Sequence, residues 1–357
     1  MTPLRPRPGL SRRSLLASAA AALAISAVWT GSTRTALASE PRYRRGVNLA
    51  GAEFGPLNWI AQGDPTLPGV YGQHYLYPGP ESLDYYARKG FTLVRLPLRW
   101  ERLQRSLGGP LDRQELRRLY GFLAAASQRG LDVIVDIHNY GRYYDRLIGT
   151  PDVTYAHFSD LWRRLARQLR DEPAVWAFSI MNEPAETEGR WPDAAQAAVD
   201  AIRDEGVDRL ILVPGDEWSD AFEWPDVNAD FSVTDPADNF MYDAHVYFDP
   251  DRTGTYRKRY RSSTAHPDVG VDRVRGFVEW LRDRGARGFV SEYGVPGDDP
   301  RWLEALDRFL TYLDAEEIGG CYWAGGPLWQ DYPLSIEPRD QHDRPQMAVL
   351  TRHLDGG

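Results

Sequence analysis

Several common kinds of site are missing from this 357-residue chain. Cys321 is the only cysteine, which excludes an intramolecular disulfide bond. The seven histidines form no His-Glu-x-x-His motif and no Cys/His cluster, so a catalytic metal is not predicted. The sequence also lacks a Gly-x-Ser-x-Gly elbow, and no Gly-x-Gly-x-x-Gly follows the first predicted strand. A formal net charge of -9 argues against a nucleic-acid partner.

Residues 1–38 have the composition of an export signal. They carry five arginines and no acidic residue, and the pair Arg12-Arg13 precedes an alanine-rich apolar stretch. Ala36-Leu37-Ala38 is a small-x-small cleavage site. We therefore predict a twin-arginine-type signal peptide over residues 1–38, with a mature chain of residues 39–357 secreted to the extracellular space or periplasm. The alternative is an uncleaved anchor, although this stretch is short and mildly apolar for a membrane span.

After residue 80 the chain alternates short apolar runs with amphipathic stretches. The predicted strands are Gly46–Ala50, Phe91–Pro97, Val133–His138, Ala174–Met181, Leu210–Pro214, Phe240–Tyr247, Gly288–Tyr293 and Gly320–Trp323. The predicted helices are Glu81–Lys89, Leu111–Arg129, Tyr155–Arg170, Ala194–Glu205, Trp218–Phe222, Val271–Asp283, Arg301–Asp314 and Gln346–Leu354. This alternation indicates parallel strands covered by helices, in a closed barrel or an open doubly wound sheet. Because polar residues gather at most strand ends, we predict a single-domain (β/α)8 TIM barrel over residues 39–357.

Two of the predicted strands end on a glutamate. Phe178-Ser-Ile-Met181 leads into Asn182-Glu183, and Phe289-Val-Ser291 leads into Glu292. Pro184 should restrict Glu183 to an extended backbone and turn the loop away from the sheet. A charged strand end on the surface would explain either acid alone. Two acids that each follow an apolar strand suggest a pair that converges on one substrate bond.

Other strand ends supply the remaining parts of a two-carboxylate glycoside hydrolysis. Arg95 could hold Glu292 ionised, and Tyr247 could donate a hydrogen bond to the same carboxylate. Asn182 could bind a sugar hydroxyl, and His245 could reach the acid or the substrate. The remaining candidates are Trp323, expected to be a stacking surface, and His138, for which a hydrogen-bonded barrel histidine is the alternative, while Asp132 and Asp136 are interpreted as structural.

These residues stand in motifs that resemble glycoside hydrolase family 5, a clan A family of retaining barrels, and within it the secreted endo-β-1,4-glucanases. The motifs are Gly46-Val-Asn-Leu-Ala-Gly-Ala-Glu-Phe-Gly55, Val94-Arg-Leu-Pro97, Val135-Asp-Ile-His-Asn-Tyr140, Met181-Asn-Glu-Pro184, Pro214-Gly-Asp-Glu-Trp218, His245-Val-Tyr-Phe-Asp249 and Ser291-Glu-Tyr-Gly294. The resemblance implies Glu183 as acid/base and Glu292 as nucleophile. It implies a surrounding set of Arg95, His138, Asn182, His245, Tyr247 and Trp323. The substrate-binding residues that we predict are Trp323, Trp218 and Asn139. Two parts of the chain depart from the family pattern, namely Val246 and the segment after Glu292. Both lie where the family shapes its substrate subsites.

We therefore expect a secreted, monomeric, retaining endo-β-1,4-glucanase that needs no cofactor or metal and binds a β-glucan, with no nucleic-acid or membrane partner. The alternatives are the same chemistry on mannan, a mixed-linkage glucan or an acidic bacterial exopolysaccharide, and a non-catalytic sugar-binding barrel. The acidic polymer is suggested by a cluster of five cations on the loop after the sixth predicted strand, interleaved with Tyr256 and Tyr260. These cations are Arg252, Arg257, Lys258, Arg259 and Arg261. Trp218 and Trp323 are both expected to expose a ring face to the groove.

Overall fold

Eight parallel strands close into a barrel in the computed structural model, which describes residues 43–53 and 68–354. The barrel strands are β1 (Arg45–Leu49), β2 (Leu93–Leu98), β3 (Asp132–Ile137), β6 (Val175–Ser179), β7 (Leu210–Pro214), β8 (Phe240–Tyr247), β9 (Gly288–Gly294) and β10 (Gly319–Gly325). Their order around the barrel is β1-β10-β9-β8-β7-β6-β3-β2. The fold is therefore the predicted (β/α)8 barrel. The predicted signal peptide, and the residues Phe54 and Gly55 of the first motif, lie outside the described residues.

Helices cover the barrel strands, as the alternating pattern predicted. They are α1 (Pro80–Arg88), α2 (Trp100–Leu103), α3 (Arg113–Ser127), α4 (Tyr155–Leu169), α5 (Trp191–Asp204), α6 (Trp224–Val227), α7 (Val269–Arg284), α8 (Pro300–Ala315) and α9 (Met347–Leu350). Helix α4 shows how the sequence specifies these elements. Thr154 and His157 form a capping box at its start, and its buried side chains recur every three or four residues along one face. Among the described residues, no helix is long and apolar enough to cross a membrane.

Three local features differ from the predictions. A small hairpin lies in the loop after β3 and was not predicted. Its two strands, β4 (Arg142–Tyr143) and β5 (Arg146–Leu147), have two residues each. Helix α9 ends at Leu350, because the chain turns there and brings His353 within 2.6 Å of Asp314 on α8. The predicted helix Trp218–Phe222 is wrong. Residues 217–219 form a single turn with φ of 50°, 64° and 54°, which is left-handed backbone.

The strand register determines which polar side chains meet at the carboxyl end of the barrel. Asn48 on β1 lies opposite Arg95 on β2. On the other side, His245 on β8 lies opposite Glu292 on β9. Interior side chains of a barrel strand recur every second residue, so Asp243, His245 and the neighbouring strands' polar residues point into one space. The candidate active site occupies that space, as in other barrels of this type.

Candidate active site

Glu292 lies near the floor of the barrel mouth, with both carboxylate oxygens hydrogen-bonded. Arg95 Nη1 donates to its Oε1 at 2.8 Å, and Tyr247 Oη donates to its Oε2 at 2.7 Å. Burial alone would raise the pKa of Glu292, but the positive charges of His245 and Arg95 outweigh burial and leave the pKa below its ordinary value. The structure thus presents an ionised, oriented carboxylate that is only 3% exposed.

Arg95 is the buried cation at the centre of this network. Its Nη1 also donates to Asn48 Oδ1, and its Nη2 donates to Asn182 Oδ1, both at 2.8 Å. Asp136 lies 3.0 Å from Nη2. Burial opposes the charge on Arg95, yet the neighbouring carboxylates Asp136 and Glu292 raise its pKa above the ordinary value. Arg95 therefore remains charged and connects Glu292 to Asn182, which lies in the segment after β6.

Glu183 and His245 form a second contact across the mouth. His245 Nδ1 lies 2.7 Å from Glu183 Oε1, and His245 Nε2 lies 2.9 Å from Ser291 Oγ. Ser291 in turn donates to Asp243 Oδ2 at 2.7 Å. Burial lowers the pKa of His245, but the charge of Glu292 and the contact with Glu183 raise it to about 9. At neutral pH His245 is therefore an imidazolium that donates from both ring nitrogens.

The backbone at Glu183 is not extended, contrary to the prediction made from Pro184. Its φ is 42°, in the left-handed region that costs a non-glycine residue roughly 1 kcal/mol or more. Neighbouring loops hold this conformation through Tyr140 N–H, which donates to Asn182 O at 3.0 Å, and Trp218 N–H, which donates to Pro184 O at 2.8 Å. The turn directs Glu183 toward His245. Glu183 is also the more exposed of the two acids, at 16% of its side chain against 4% for Glu292.

The two carboxylates lie close together. The ligand-type atoms of Glu183, His245 and Glu292 are all within 4.8 Å of one another. Carboxyl groups about 5–5.5 Å apart permit direct attack by one of them, whereas a spacing of about 6.5–9.5 Å accommodates an intervening water. The geometry therefore matches the direct-attack arrangement.

The same three side chains form the one group with metal-ligand spacing among the described residues. One feature of the site disfavours a cation there: the Arg95 guanidinium already lies 2.8 Å from Glu292 and occupies one side of that carboxylate. The arrangement favours proton transfer and nucleophilic attack by the protein's own groups.

His138 and Trp323 pack against each other on the β3 and β10 sides of the mouth. Asp136 Oδ2 lies 2.8 Å from His138 Nδ1, which places the ring proton on that nitrogen because Asp136 is ionised. The Trp323 ring stacks on His138 at 5.6 Å with an interplanar angle of 12°. Its other contacts include Trp329, and only 8% of Trp323 is exposed. Trp323 therefore does not expose an open ring face, contrary to the prediction.

Trp218 differs from Trp323, since half of it is exposed. Its ring lies 5.9 Å from Tyr140, which contacts His138 at 5.4 Å. The left-handed turn at residues 217–219 presents the indole outward, as expected for a surface that contacts substrate. Tyr140 was not among the predicted site residues, and its sequence position directly after His138-Asn139 was the available signal.

Asn139 does not fit its predicted role. The side chain is buried, its Oδ1 accepts from Trp100 N–H at 2.7 Å, and its Nδ2 donates to Glu101 Oε2 at 2.6 Å. Asn139 therefore bonds to the start of helix α2, and both polar atoms of its side chain are already engaged there. Asn182, in contrast, has a buried Nδ2 without a hydrogen-bond partner among the described residues. That amide is a free donor next to Glu183.

The loop that carries the cation cluster is built differently from the prediction. Tyr256 and Tyr260 are buried, with the Tyr256 hydroxyl bonded to Gly294 O and Tyr260 packed on Trp302. They cannot stack on a polysaccharide. Arg252 pairs with acidic neighbours, while Arg257, Lys258, Arg259 and Arg261 are exposed.

The same loop touches the site through Gly254. This glycine has φ of 70°, and a Cβ added to it would lie 2.8 Å from the Tyr247 ring. The close approach helps to hold Tyr247 against Glu292.

A parallel barrel that brings two carboxylates together beside an arginine, a tyrosine and a histidine at the carboxyl ends of its strands has the architecture of a glycoside hydrolase barrel. Residues 48–328 match the family model for cellulase, glycosyl hydrolase family 5, and the chain belongs to that family. It is therefore a glycoside hydrolase. The non-catalytic sugar-binding alternative is not supported.

Known relatives agree with this assignment. The chain is 32% identical over 301 residues to endo-β-1,4-glucanase B of Aspergillus niger, covering 83% of this chain and 85% of that protein. Among solved structures, it is similar to the endoglucanase Cel5A of Pseudomonas stutzeri in complex with cellobiose, with 44% identity, a TM-score of 0.82, and 88% and 92% of the two chains covered. It is also similar to the endo-β-1,4-glucanase Xac0029 of Xanthomonas axonopodis pv. citri, with 38% identity, a TM-score of 0.80, and 87% and 98% covered.

Proposed function

We propose that this protein is a secreted, retaining endo-β-1,4-glucanase in which Glu292 is the nucleophile and Glu183 the acid/base. The observation that carries the proposal is the pair of carboxylates within 4.8 Å, one buried and held by Arg95 and Tyr247, the other more exposed and paired with His245. The names of the relatives support β-1,4-glucan as the substrate.

In the first step Glu292 attacks the anomeric carbon while Glu183 donates a proton to the departing glycosidic oxygen. The short contact between Glu183 and His245 can supply that proton, because the imidazolium and the carboxylate share one proton between Nδ1 and Oε1. A glycosyl ester on Glu292 and a free sugar hydroxyl result. In the second step Glu183, now a base, takes a proton from water, which attacks the same carbon and releases Glu292.

The other residues have supporting roles in this mechanism. Arg95 and Tyr247 keep Glu292 ionised and oriented before attack, and accommodate the loss of its charge in the ester. The unpartnered Nδ2 of Asn182 is placed to donate to a sugar hydroxyl beside the cleaved bond. Trp323, held by His138, borders the glycone side, and Trp218 borders the leaving-group side because its loop is bonded to Pro184.

The decisive assay is product analysis on a panel of β-glucan, mannan, mixed-linkage glucan and carboxylated β-glucan, with mass and anomeric configuration recorded. We expect internal cleavage of β-1,4-glucan, with products first formed in the β-configuration. Activity confined to mannan, or α-configured first products, would contradict the proposal. Glu292→Gln should abolish this activity. The matched control is Glu304→Gln, which changes an exposed glutamate on α8.

The runner-up is an acidic β-linked polymer, favoured by the four exposed cations Arg257, Lys258, Arg259 and Arg261. A preference for carboxylated glucan that declines as salt screens these charges would favour it. Equal activity on neutral and carboxylated glucan at low salt would leave the neutral glucan as substrate. These assays are run at neutral pH, where His245 stays protonated, so that a change in its charge does not affect the comparison.

Export of a cleaved, monomeric chain by the twin-arginine route is part of the proposal. Replacement of Arg12 and Arg13 by lysines should retain the enzyme inside the cell. Continued export of that variant would contradict the route. Size-exclusion chromatography with light scattering would test the expected monomer of residues 39–357.

A further inference from the structure

Two exposed aromatic side chains lie on one loop beside the active site. In the part of the chain that the structure describes, five large apolar residues are exposed: Val70, Tyr71, Trp218, Phe222 and Val227. Trp218 and Phe222 both belong to the loop that follows β7. Phe222 is 52% exposed, slightly more than Trp218 at 50%. Two exposed aromatic rings on one loop beside the active site form a candidate surface for contact with a ligand.

The loop is fixed to the acid/base side of the mouth. Trp218 N–H donates to Pro184 O at 2.8 Å, one residue after Glu183. Ala221 N–H donates to His245 O at 3.1 Å. Phe222 is therefore the residue directly after one that is bonded to strand β8. Because the acid protonates the oxygen of the departing sugar, this loop borders the leaving-group half of the substrate.

Arg252 holds the Phe222 ring. Its guanidinium carbon lies 4.9 Å from the ring centroid. Arg252 is itself restrained, since its Nε donates to Asp220 Oδ2 at 2.5 Å and its Nη2 pairs with Glu223. Asp220 also accepts from Phe222 N–H at 2.9 Å. The ring is thus supported by a locked cation, while half of the residue stays open to solvent.

We infer that Phe222, supported by Arg252, is a second aromatic platform that binds a sugar unit of the leaving-group half, further from the cleaved bond than Trp218. A β-1,4-linked glucan carries its hydroxyls equatorially and presents the apolar C–H faces of its rings, which pack on aromatic side chains. Phe222 is four positions after Trp218, so their Cα atoms are at most roughly 14 Å apart. This separation is short enough for one extended glucan chain to span. This inference rests on the proposed function, because it needs a polymeric β-glucan and Glu183 as the acid.

The platform predicts a dependence on substrate length. Phe222→Ala should lower kcat/KM on cellohexaose and soluble cellulose derivatives about five- to tenfold. It should leave the cleavage of an aryl cellobioside unchanged, because the aryl group fills only the first leaving-group position. Phe222→Trp should keep the activity on long substrates. Arg252→Gln should show a smaller loss of the same kind, with thermal unfolding measured to check the loop.

Val227→Ala is the control, since Val227 is an exposed apolar residue on the adjacent helix α6 and should change neither activity. Equal losses on aryl cellobioside and cellohexaose, or no loss on either, would overturn the platform. The proposed function is tested by the wild type alone, and it fails if the wild type does not cleave β-1,4-glucan. In that case the comparison is repeated with long and short oligosaccharides of the polymer that the wild type does cleave, and an unchanged long-substrate rate in Phe222→Ala again overturns the platform.

Discussion

Arg95 and Glu292, on strands β2 and β9, are almost completely buried and bond to each other, whereas Trp218 and Phe222, on the loop after β7, are half exposed. The floor of the mouth is built from barrel strands whose register fixes each side chain, and it carries the charge chemistry. The rim is built from loop backbone, including left-handed residues, and it carries apolar ring faces. Barrel strands thus fix the buried residues around Glu292, whereas loops position both Glu183 and the exposed rings that would meet the substrate.

Trp323 and Trp218 show the same difference within one residue type. Both were expected to be open platforms, yet Trp323 on strand β10 is covered by His138 and Trp329, and only Trp218 on the loop is open. Variants on the floor should therefore change turnover, stability or pH dependence. Variants on the rim should change substrate affinity.

The largest expected effect lies on the floor, at Glu292. Glu292→Gln keeps the side-chain volume and a hydrogen-bond acceptor for Arg95 but removes the nucleophile, so turnover should fall on the order of 10⁴-fold or more. The melting temperature should change little, because Arg95 retains Asp136 as a charged partner. Initial rates on soluble cellulose derivatives and thermal unfolding would test this. Near-normal turnover would show that Glu292 is not the nucleophile.

Arg95→Ala should be the most destabilising change on the floor. It leaves Asp136 and Glu292 buried without their cation, a loss of about 3–5 kcal/mol in the free energy of unfolding. Arg95→Lys should recover part of that stability but little activity, since an ammonium cannot bond Asn48, Asn182 and Glu292 together. Urea unfolding of both variants provides the measurement. A stability loss below about 1 kcal/mol in Arg95→Ala would contradict the account of the floor.

The pH dependence should reflect His245. Because neighbouring carboxylates raise its pKa to about 9, the imidazolium is present below that pH and is lost as the pH rises through it. We expect kcat/KM to fall above pH 9 on the alkaline side, and on the acid side once Glu292 is protonated, below its ordinary pKa range. His245→Gln should abolish the alkaline limb near pH 9 and move the acid limb upward, because the positive charge that lowers the pKa of Glu292 is gone.

His353→Gln is the control for this profile. The pKa of His353 is also raised, by its hydrogen bond to Asp314, but the hydrogen-bond partners of this histidine, Asp314 and Asp307, both lie on helix α8. An unchanged alkaline limb in His245→Gln, or a shifted one in His353→Gln, would assign the limb to another group.

The smallest expected effect lies on the rim. Trp218→Ala should raise KM about tenfold, equivalent to about 1.4 kcal/mol, because a stacking surface is lost. Its unfolding free energy should stay within about 0.5 kcal/mol of the wild type, since half of the side chain is exposed. Trp323→Ala, in contrast, should cost about 3 kcal/mol or more of stability. Equal destabilisation by the two variants would remove the distinction between floor and rim.

Much of the floor could be predicted from the sequence, because the alternation along a strand fixes the face of each residue. That rule places Asp243, His245 and Tyr247 on one side of β8, and the strand-end position of Glu292 follows from the apolar run before it. The rim could not be predicted in this way. The burial of Tyr260 depends on Trp302 of α8, and that of Trp323 on Trp329 in a later loop. The left-handed backbone at Glu183 and Trp218 depends on hydrogen bonds between loops that are distant in sequence.

The central claim, that Glu292 attacks the sugar and Glu183 does not, is tested most directly by covalent trapping. A 2-deoxy-2-fluoro cellobioside with an activated leaving group slows the second step more than the first, so the glycosyl ester should accumulate. Mass spectrometry of the digested protein is predicted to show one fluorocellobiosyl group on the peptide that contains Glu292. A label on Glu183, or on a peptide that contains neither acid, would contradict the account.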